Sequence, residues 1–220
     1  MAVHDLSSLP ANSKVFVDTN IFFLHFQNKS ATVNAFIHRV AMGEIEAYVN
    51  IQVLSDLMHK LMLAEAYAKG YITRLRAIEL KQWLQANRQQ AQTLTQYQQQ
   101  FENTLAIGVK VLPIGVKLMV DTKDERANFG LMTGDSLHVG TMRRTATALS
   151  DIVTYDGDFH HVTGLEIWMP MDLKKSRTGR FLRGIDENPL SPPCPGADDG
   201  AGSHRAGSKA DSPGGGAVSG

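Results

Sequence analysis

The chain has 220 residues, 43% hydrophobic and 20% charged, which is enough for one globular domain with a sizeable core. Its formal net charge is zero, but residues 1–183 carry 20 basic against 17 acidic side chains, a balance that permits a nucleic-acid partner without demanding one. The single cysteine, Cys194, lies in a Pro/Gly-rich tail, which excludes an intrachain disulfide and a cysteine-based zinc site. With neither a secretory signal pattern at the start nor an apolar run of membrane-spanning length, the sequence predicts a soluble cytoplasmic protein.

Strands and helices alternate along the first third of the chain. Residues 15–17 read as a buried strand that ends at Asp18, and residues 46–51 as a second strand. Helices are predicted over residues 21–27 and 31–42, with Gly43 ending the second of them. A stronger helix is predicted over residues 53–69, because apolar side chains recur there at helical spacing: Leu54, Leu57, Met58, Leu61 and Met62.

The middle of the chain is rich in glutamine. Nine glutamines fall between Gln82 and Gln100, yet apolar residues at helical spacing run through the same stretch. This pattern predicts a helical insertion over about residues 65–105, with a solvated face and an apolar face laid over the core or a partner. An exposed apolar face on these helices would favour a homodimer.

The last third predicts three more strands, over residues 109–114, 152–155 and 165–169, with helices over residues 118–129 and 136–149. Alternation of this kind predicts an α/β fold with a central parallel sheet covered by helices. Residues 174–183 hold five cations, which suit either a phosphate backbone or a solvated domain end. From residue 184 to residue 220 the composition predicts a disordered tail, so the folded domain is assigned to residues 1–183.

Several acids stand where such a fold places functional groups. Asp18 and Asp156 follow predicted strands, and ligands of parallel sheets bind beyond the carboxyl ends of strands. Asp135 stands at a helix start, and Asp158 lies two residues beyond Asp156. Each has an ordinary reading as a helix cap or a turn residue. Asp56, opposite an apolar helical stripe, is expected to be solvated.

Taken together, these acids indicate a metal site. Carboxylates that share a small space repel and raise one another's pKa, so such a cluster requires a cation. Oxygen-only ligation suits Mg²⁺ or Mn²⁺. An ion of this kind lowers the pKa of bound water and neutralises charge on a phosphodiester under attack.

Four blocks of the sequence, spread over about residues 14–170, resemble those of the PIN-domain nucleases. The blocks are Val15-Phe16-Val17-Asp18-Thr19-Asn20, Leu54-Ser55-Asp56-Leu57, Gly134-Asp135-Ser136-Leu137 and Ile152-Val153-Thr154-Tyr155-Asp156-Gly157-Asp158-Phe159. The resemblance implies a three-layer α/β/α fold and metal-dependent cleavage of RNA. A large subset of that family are VapC-type toxins, each held inactive by a cognate antitoxin, so the resemblance also implies an antitoxin partner.

The resemblance carries site roles over to particular residues of this chain. The implied metal ligands are Asp18, Asp56, Asp135 and Asp156, with Asp158 as a secondary ligand and with Asn20 or Thr154 orienting the ligands. The chain departs from the family pattern in three ways. The second acid is usually Glu rather than Asp, the segment 65–103 is longer than in compact toxins, and the Pro/Gly-rich tail is extra.

Two other functions stay open on the sequence alone. A non-catalytic PIN module that binds RNA or protein is compatible with the departure at Asp56. A GDSL-type serine esterase would use Ser136 as nucleophile, with His161 and Asp158 completing a triad, although these residues come unusually late and close together for that family. Three other histidines, His25, His38 and His138, are predicted to be packed or surface residues rather than ligands.

Overall fold

The structure, a computed structural model, describes residues 2–173, and its centre is one six-stranded sheet in the order β1-β6-β5-β2-β3-β4. The strands are β1 (Val3–Asp5), β2 (Lys14–Val17), β3 (Glu46–Asn50), β4 (Lys110–Leu112), β5 (Asp151–Val153) and β6 (Glu166–Met169). All of the described pairings are parallel. The predicted α/β class with a central parallel sheet is confirmed.

Helices connect the strands. They are α1 (Thr19–Phe26), α2 (Ala31–Ala41), α3 (Ile51–Ala68), α4 (Ala77–Ala86), α5 (Arg88–Ala91), α6 (Gln96–Ala106), α7 (Val116–Asp121), α8 (Lys123–Phe129) and α9 (Thr133–Arg144). No helix within residues 2–173 is long and apolar enough to cross a membrane.

The register of the sheet brings the ends of β2, β3 and β5 to the same edge. Phe16 of β2 lies opposite Tyr48 of β3 and Ile152 of β5, so these three strands end at nearly the same level. The apolar run of β2 is fully buried because the sheet is covered on both faces. The residues that follow these three strands therefore meet at one edge of the sheet.

The structure adds a strand that the sequence did not predict. β1 is three residues long at the edge of the sheet, where Val3 lies opposite Ile167 of β6. Its side chains are mostly exposed, so it lacks the apolar run or alternation that would reveal a strand in the sequence.

Two predicted helices have the wrong bounds. The helix expected over residues 118–129 is two helices, because the chain breaks at Thr122, whose buried hydroxyl donates to the Met119 carbonyl at 3.0 Å. The helix expected to reach residue 149 ends at Arg144. The chain then turns back, so that the Leu149 amide donates to the Met142 carbonyl at 2.9 Å.

The predicted helical insertion consists of α4, α5 and α6, in which α4 and α6 contact α3 and α5 contacts α4. Apolar side chains of this region form a small core of their own that includes Leu63 and Ala66 of α3 together with Ile72, Leu80 and Leu94. Leu105, near the end of α6, is 40% exposed. The basic run at 174–183 and the predicted tail at 184–220 lie outside the described residues.

A buried carboxylate attaches the insertion to the domain. Glu65 of α3 accepts hydrogen bonds from the backbone amides of Thr95 at 3.0 Å and Tyr97 at 2.9 Å, at the start of α6. The Lys69 ammonium lies 2.9 Å from the same carboxylate. Burial alone would raise the pKa of Glu65, but these partners lower it below its ordinary value of 4.5. Glu65 therefore supplies the cap that α6 lacks at its own N-terminus.

Helix α9 is fixed at its second half by close packing and by an ion pair. A Cβ on Gly140 would overlap the Thr122 side chain between α7 and α8, so α9 approaches these helices as only glycine allows. Beside it, the buried Glu125 accepts from the Arg144 guanidinium at 2.6 and 3.2 Å. These contacts determine how α9 lies against the sheet.

We expect Gly140→Ala to destabilise the protein by about 1–3 kcal/mol, the usual cost of overpacking, because the added methyl overlaps Thr122. Gly134→Ala is the matched control, since a Cβ there meets nothing and improves helix propensity by about 0.5–1 kcal/mol. Urea unfolding of both variants measures the difference. Equal stability of the two would contradict the packing described for Gly140.

We expect Glu65→Gln to lower the free energy of unfolding by about 1–3 kcal/mol at pH 7, because a charged acceptor of buried amides is lost. The lowered pKa means that the wild-type advantage is present above about pH 4.5 and disappears as the pH falls through the folded-state value. Urea unfolding between pH 3 and pH 7 tests this. Glu102→Gln, at an exposed position on α6, is the control.

Candidate active site

Asp18 lies at the carboxyl end of β2, in the N-cap position of α1. Its side chain makes no capping hydrogen bond. It accepts instead from the Thr154 hydroxyl at 2.7 Å and from the Asn20 amide at 2.6 Å, and only 7% of the residue is exposed. Asp18 therefore occupies the N-cap position, but its side chain is held by Thr154 and Asn20.

Thr154 and Asn20 are themselves held in place. The Thr154 hydroxyl accepts from the Asp156 amide at 2.9 Å, and the Asn20 carbonyl oxygen accepts from the Tyr155 amide at 3.1 Å. Because the hydroxyl proton of Thr154 is directed at Asp18, the segment after β5 and the start of α1 orient one carboxylate between them.

Asp135 and Asp156 reach the same edge from two further elements. Asp135 lies half-buried in the first turn of α9, where Met132, and not Asp135, occupies the N-cap position. Asp156 begins a short 3-10 turn and accepts from the Asp158 amide at 3.0 Å. It is half-buried, whereas Asp158 is exposed.

Asp56 lies on α3 and is less solvated than its place in the helix predicted. It is half-buried and accepts from the Gln52 side-chain amide at 2.9 Å. Its charge raises the pKa of both Asp18 and Asp135, which places it within electrostatic reach of the other acids. The expectation of a solvated Asp56 is therefore wrong.

The acids act on one another electrostatically. Burial, and then the charges of Asp156, Asp18, Asp158 and Asp56, raise the pKa of Asp135 to about 7. Burial also raises the pKa of Asp18 and of Asp156. Carboxylates from α3, α9 and the ends of β2 and β5 thus form one region of mutual repulsion, which a cation would relieve.

The donor set fits a hard divalent cation that keeps several waters. In the described range, no three acidic, histidine or cysteine side chains converge as a ready-made ligand set for one ion. Mg²⁺ commonly binds through one or two carboxylates and completes its shell with water. These aspartates offer only oxygen atoms, which is the ligand type that such an ion prefers.

Comparison with known protein families identifies the domain. The family model described as "PIN domain" matches residues 15–165, a span that begins at β2 and includes every acid named above. The chain belongs to the PIN-domain family. No curated protein matches the chain. Among solved structures, it is similar to a chain of "VapBC2 from Rickettsia felis bound to a DNA fragment from their promoter", with a TM-score of 0.46, 13% identity, and coverage of 71% of this chain and 98% of that one.

Lys60 is a residue of this PIN domain that the sequence analysis missed. It lies on α3 four residues after Asp56 and is half-buried. Its charge lowers the pKa of Asp18 and of Asp156. The available signal was the i, i+4 spacing from Asp56, which places both side chains on one face of the helix.

His138 and Asn50 form a buried polar link between two acid-bearing helices of the PIN domain. The Asn50 amide lies 3.2 Å from His138 Nδ1 and donates to the Thr141 hydroxyl at 3.1 Å, while its oxygen accepts from the Val53 amide at the start of α3. Burial lowers the pKa of His138 to about 4, so the ring is neutral at pH 7. As predicted, His138 is a packed residue, and it joins α9 to α3.

The structure does not assemble a serine esterase. Ser136 is fully buried, and its hydroxyl donates to the Thr133 carbonyl at 2.8 Å. The Arg126 guanidinium donates to the same hydroxyl at 3.3 Å, while His161 is exposed. A nucleophile needs an accessible oxygen bonded to a general base, and Ser136 has neither.

We expect Thr154→Val to weaken Mn²⁺ binding by about 10–100-fold, because the variant keeps the shape of the side chain but removes the hydroxyl that orients Asp18. Thr154→Ser, which retains the hydroxyl, is the control and should bind like the wild type. Isothermal titration with Mn²⁺ measures both. Unchanged affinity in the valine variant would show that this hydrogen bond does not prepare the site.

Proposed function

We propose that this PIN domain is a divalent-metal-dependent endoribonuclease that hydrolyses RNA phosphodiester bonds. The observation that carries the proposal is the gathering of Asp18, Asp56, Asp135 and Asp156 from four elements at one edge of the sheet. Holding like charges close together costs free energy. In a nuclease site, these carboxylates would bind Mg²⁺ or Mn²⁺, which explains why they are kept together.

Asp18, Asp135 and Asp156 would hold the metal, with Asp56 reaching it through water because its side chain is a methylene shorter than Glu. Asp158, which is exposed, would be a secondary ligand. When bound, the metal supplies a water of lowered pKa and neutralises charge on the phosphate. The chain contributes orientation, since Asn20 and Thr154 fix both the position and the hydrogen bonding of Asp18.

The proposal extends to a toxin held by a cognate antitoxin. What supports this extension is membership of the PIN-domain family together with the resemblance of its four sequence blocks to VapC-type toxins. RNA and a small antitoxin protein are then the two partners. A small reading frame for a DNA-binding protein beside this gene is the expected companion, and a gene that stands alone would count against the toxin role.

A non-catalytic PIN module is the second candidate. It is favoured by Asp56 in place of Glu, and by the lack of a ready-made three-ligand set among residues 2–173. Binding of Mn²⁺ by the pure protein, combined with intact RNA after incubation, would decide for this candidate.

We expect Asp18→Asn and Asp135→Asn each to reduce metal-dependent RNA cleavage by about 100-fold or more, because each removes a charged ligand without changing the size of the side chain. Cleavage of a labelled RNA in Mn²⁺, and in chelator, gives the measurement. Asp124→Asn, at an exposed position on α8, is the control and should keep full activity. Full cleavage by both site variants would refute the mechanism.

A further inference from the structure

Lys60 faces the acids from the middle of α3. It follows Asp56 by one helical turn, and α3 packs against both α1, which follows Asp18, and α9, which carries Asp135 in its first turn. The side chain is half-buried, and its charge reaches Asp18 and Asp156.

The ammonium is close to the acids but is not paired with any of them. Within the part of the chain that the structure describes, Lys60 forms no hydrogen bond or ion pair. Its charge nevertheless acts on Asp18, Asp156 and His138, which belong to three other segments. All three N–H donors of the ammonium therefore remain available to a ligand.

A substrate phosphate makes such a cation useful. Five carboxylates surround the edge, and each RNA phosphate that approaches carries a further negative charge. A divalent ion held by the acids would offset part of this repulsion, but part of its coordination would be taken up by the acids and by water. A lysine with free donors can donate a hydrogen bond to a phosphate oxygen. A carboxylate cannot, because it is itself a negatively charged acceptor.

We propose that Lys60 binds a non-bridging oxygen of the scissile phosphate and stabilises its charge during cleavage. This inference rests on the proposed nuclease function and adds a substrate-contacting residue to it. The alternative is that Lys60 only offsets the charge of the acids, and the two roles predict different changes when the ammonium is removed.

Lys60→Met removes the ammonium and keeps the apolar stem. We expect it to lower kcat/KM for RNA cleavage at saturating Mn²⁺ by about 10–100-fold, as for other losses of transition-state charge stabilisation. Its affinity for Mn²⁺ should rise, because a positive charge beside the carboxylates is gone. Lys60→Arg should recover most of the cleavage, which a purely structural role would not produce.

Lys14→Met is the matched control, since Lys14 is exposed at the opposite end of β2. Thermal unfolding checks that all variants fold. The proposal is overturned if Lys60→Met binds Mn²⁺ more tightly than the wild type and keeps kcat/KM for RNA cleavage within about threefold of the wild-type value. Lys60 would then only offset the charge of the acids.

A binding measurement separates this proposal from the proposed function. If the wild type cleaves no RNA, the nuclease function fails, and Lys60 is judged by the affinity for a single-stranded 2′-O-methyl RNA in Mn²⁺. Weaker binding by Lys60→Met than by Lys14→Met would still support a phosphate contact, and equal binding would overturn it.

Discussion

Repulsion between carboxylates is the constraint on which the rest of this structure depends. Asp18, Asp56, Asp135 and Asp156 come from different elements, and burial together with the charges of neighbouring acids raises the pKa of Asp18, Asp135 and Asp156. Holding them together costs stability, and a protein accepts such a cost where the charges serve binding or catalysis. Other contacts in the fold have to offset this repulsion between the carboxylates. Most of the polar contacts around the site contribute to that.

Different contacts hold the acids in position. Thr154 and Asn20 donate charge-assisted hydrogen bonds to Asp18. The buried pair of Asn50 and His138 ties α9 to the start of α3, so that the helices bearing Asp135 and Asp56 keep a fixed relation. Farther along α9, Gly140 and the Glu125–Arg144 ion pair fix the other end of the helix. Asp56 and Asp135 thus lie on helices, whereas Asp18 and Asp156 follow the ends of strands.

The helical insertion joins the rest of the domain through α3. It has a small apolar core of its own, and the buried Glu65 secures α6 on α3 through two backbone amides. Because α3 also carries Asp56 and Lys60, one helix joins the acidic edge to the insertion.

The sequence by itself determined the sheet class, the order of the main elements and the identity of the acids, because buried parallel strands, amphipathic helices and carboxylates leave local patterns. It did not reveal β1, which is too short and exposed to carry a pattern, nor the break at Thr122, where a side chain bonds the backbone. Only the tertiary structure decided that the Asp18 side chain, at the N-cap position of α1, accepts from Thr154 and Asn20, and that Lys60 faces the acids. These outcomes depend on residues far apart in the chain, whose contacts no local spacing encodes.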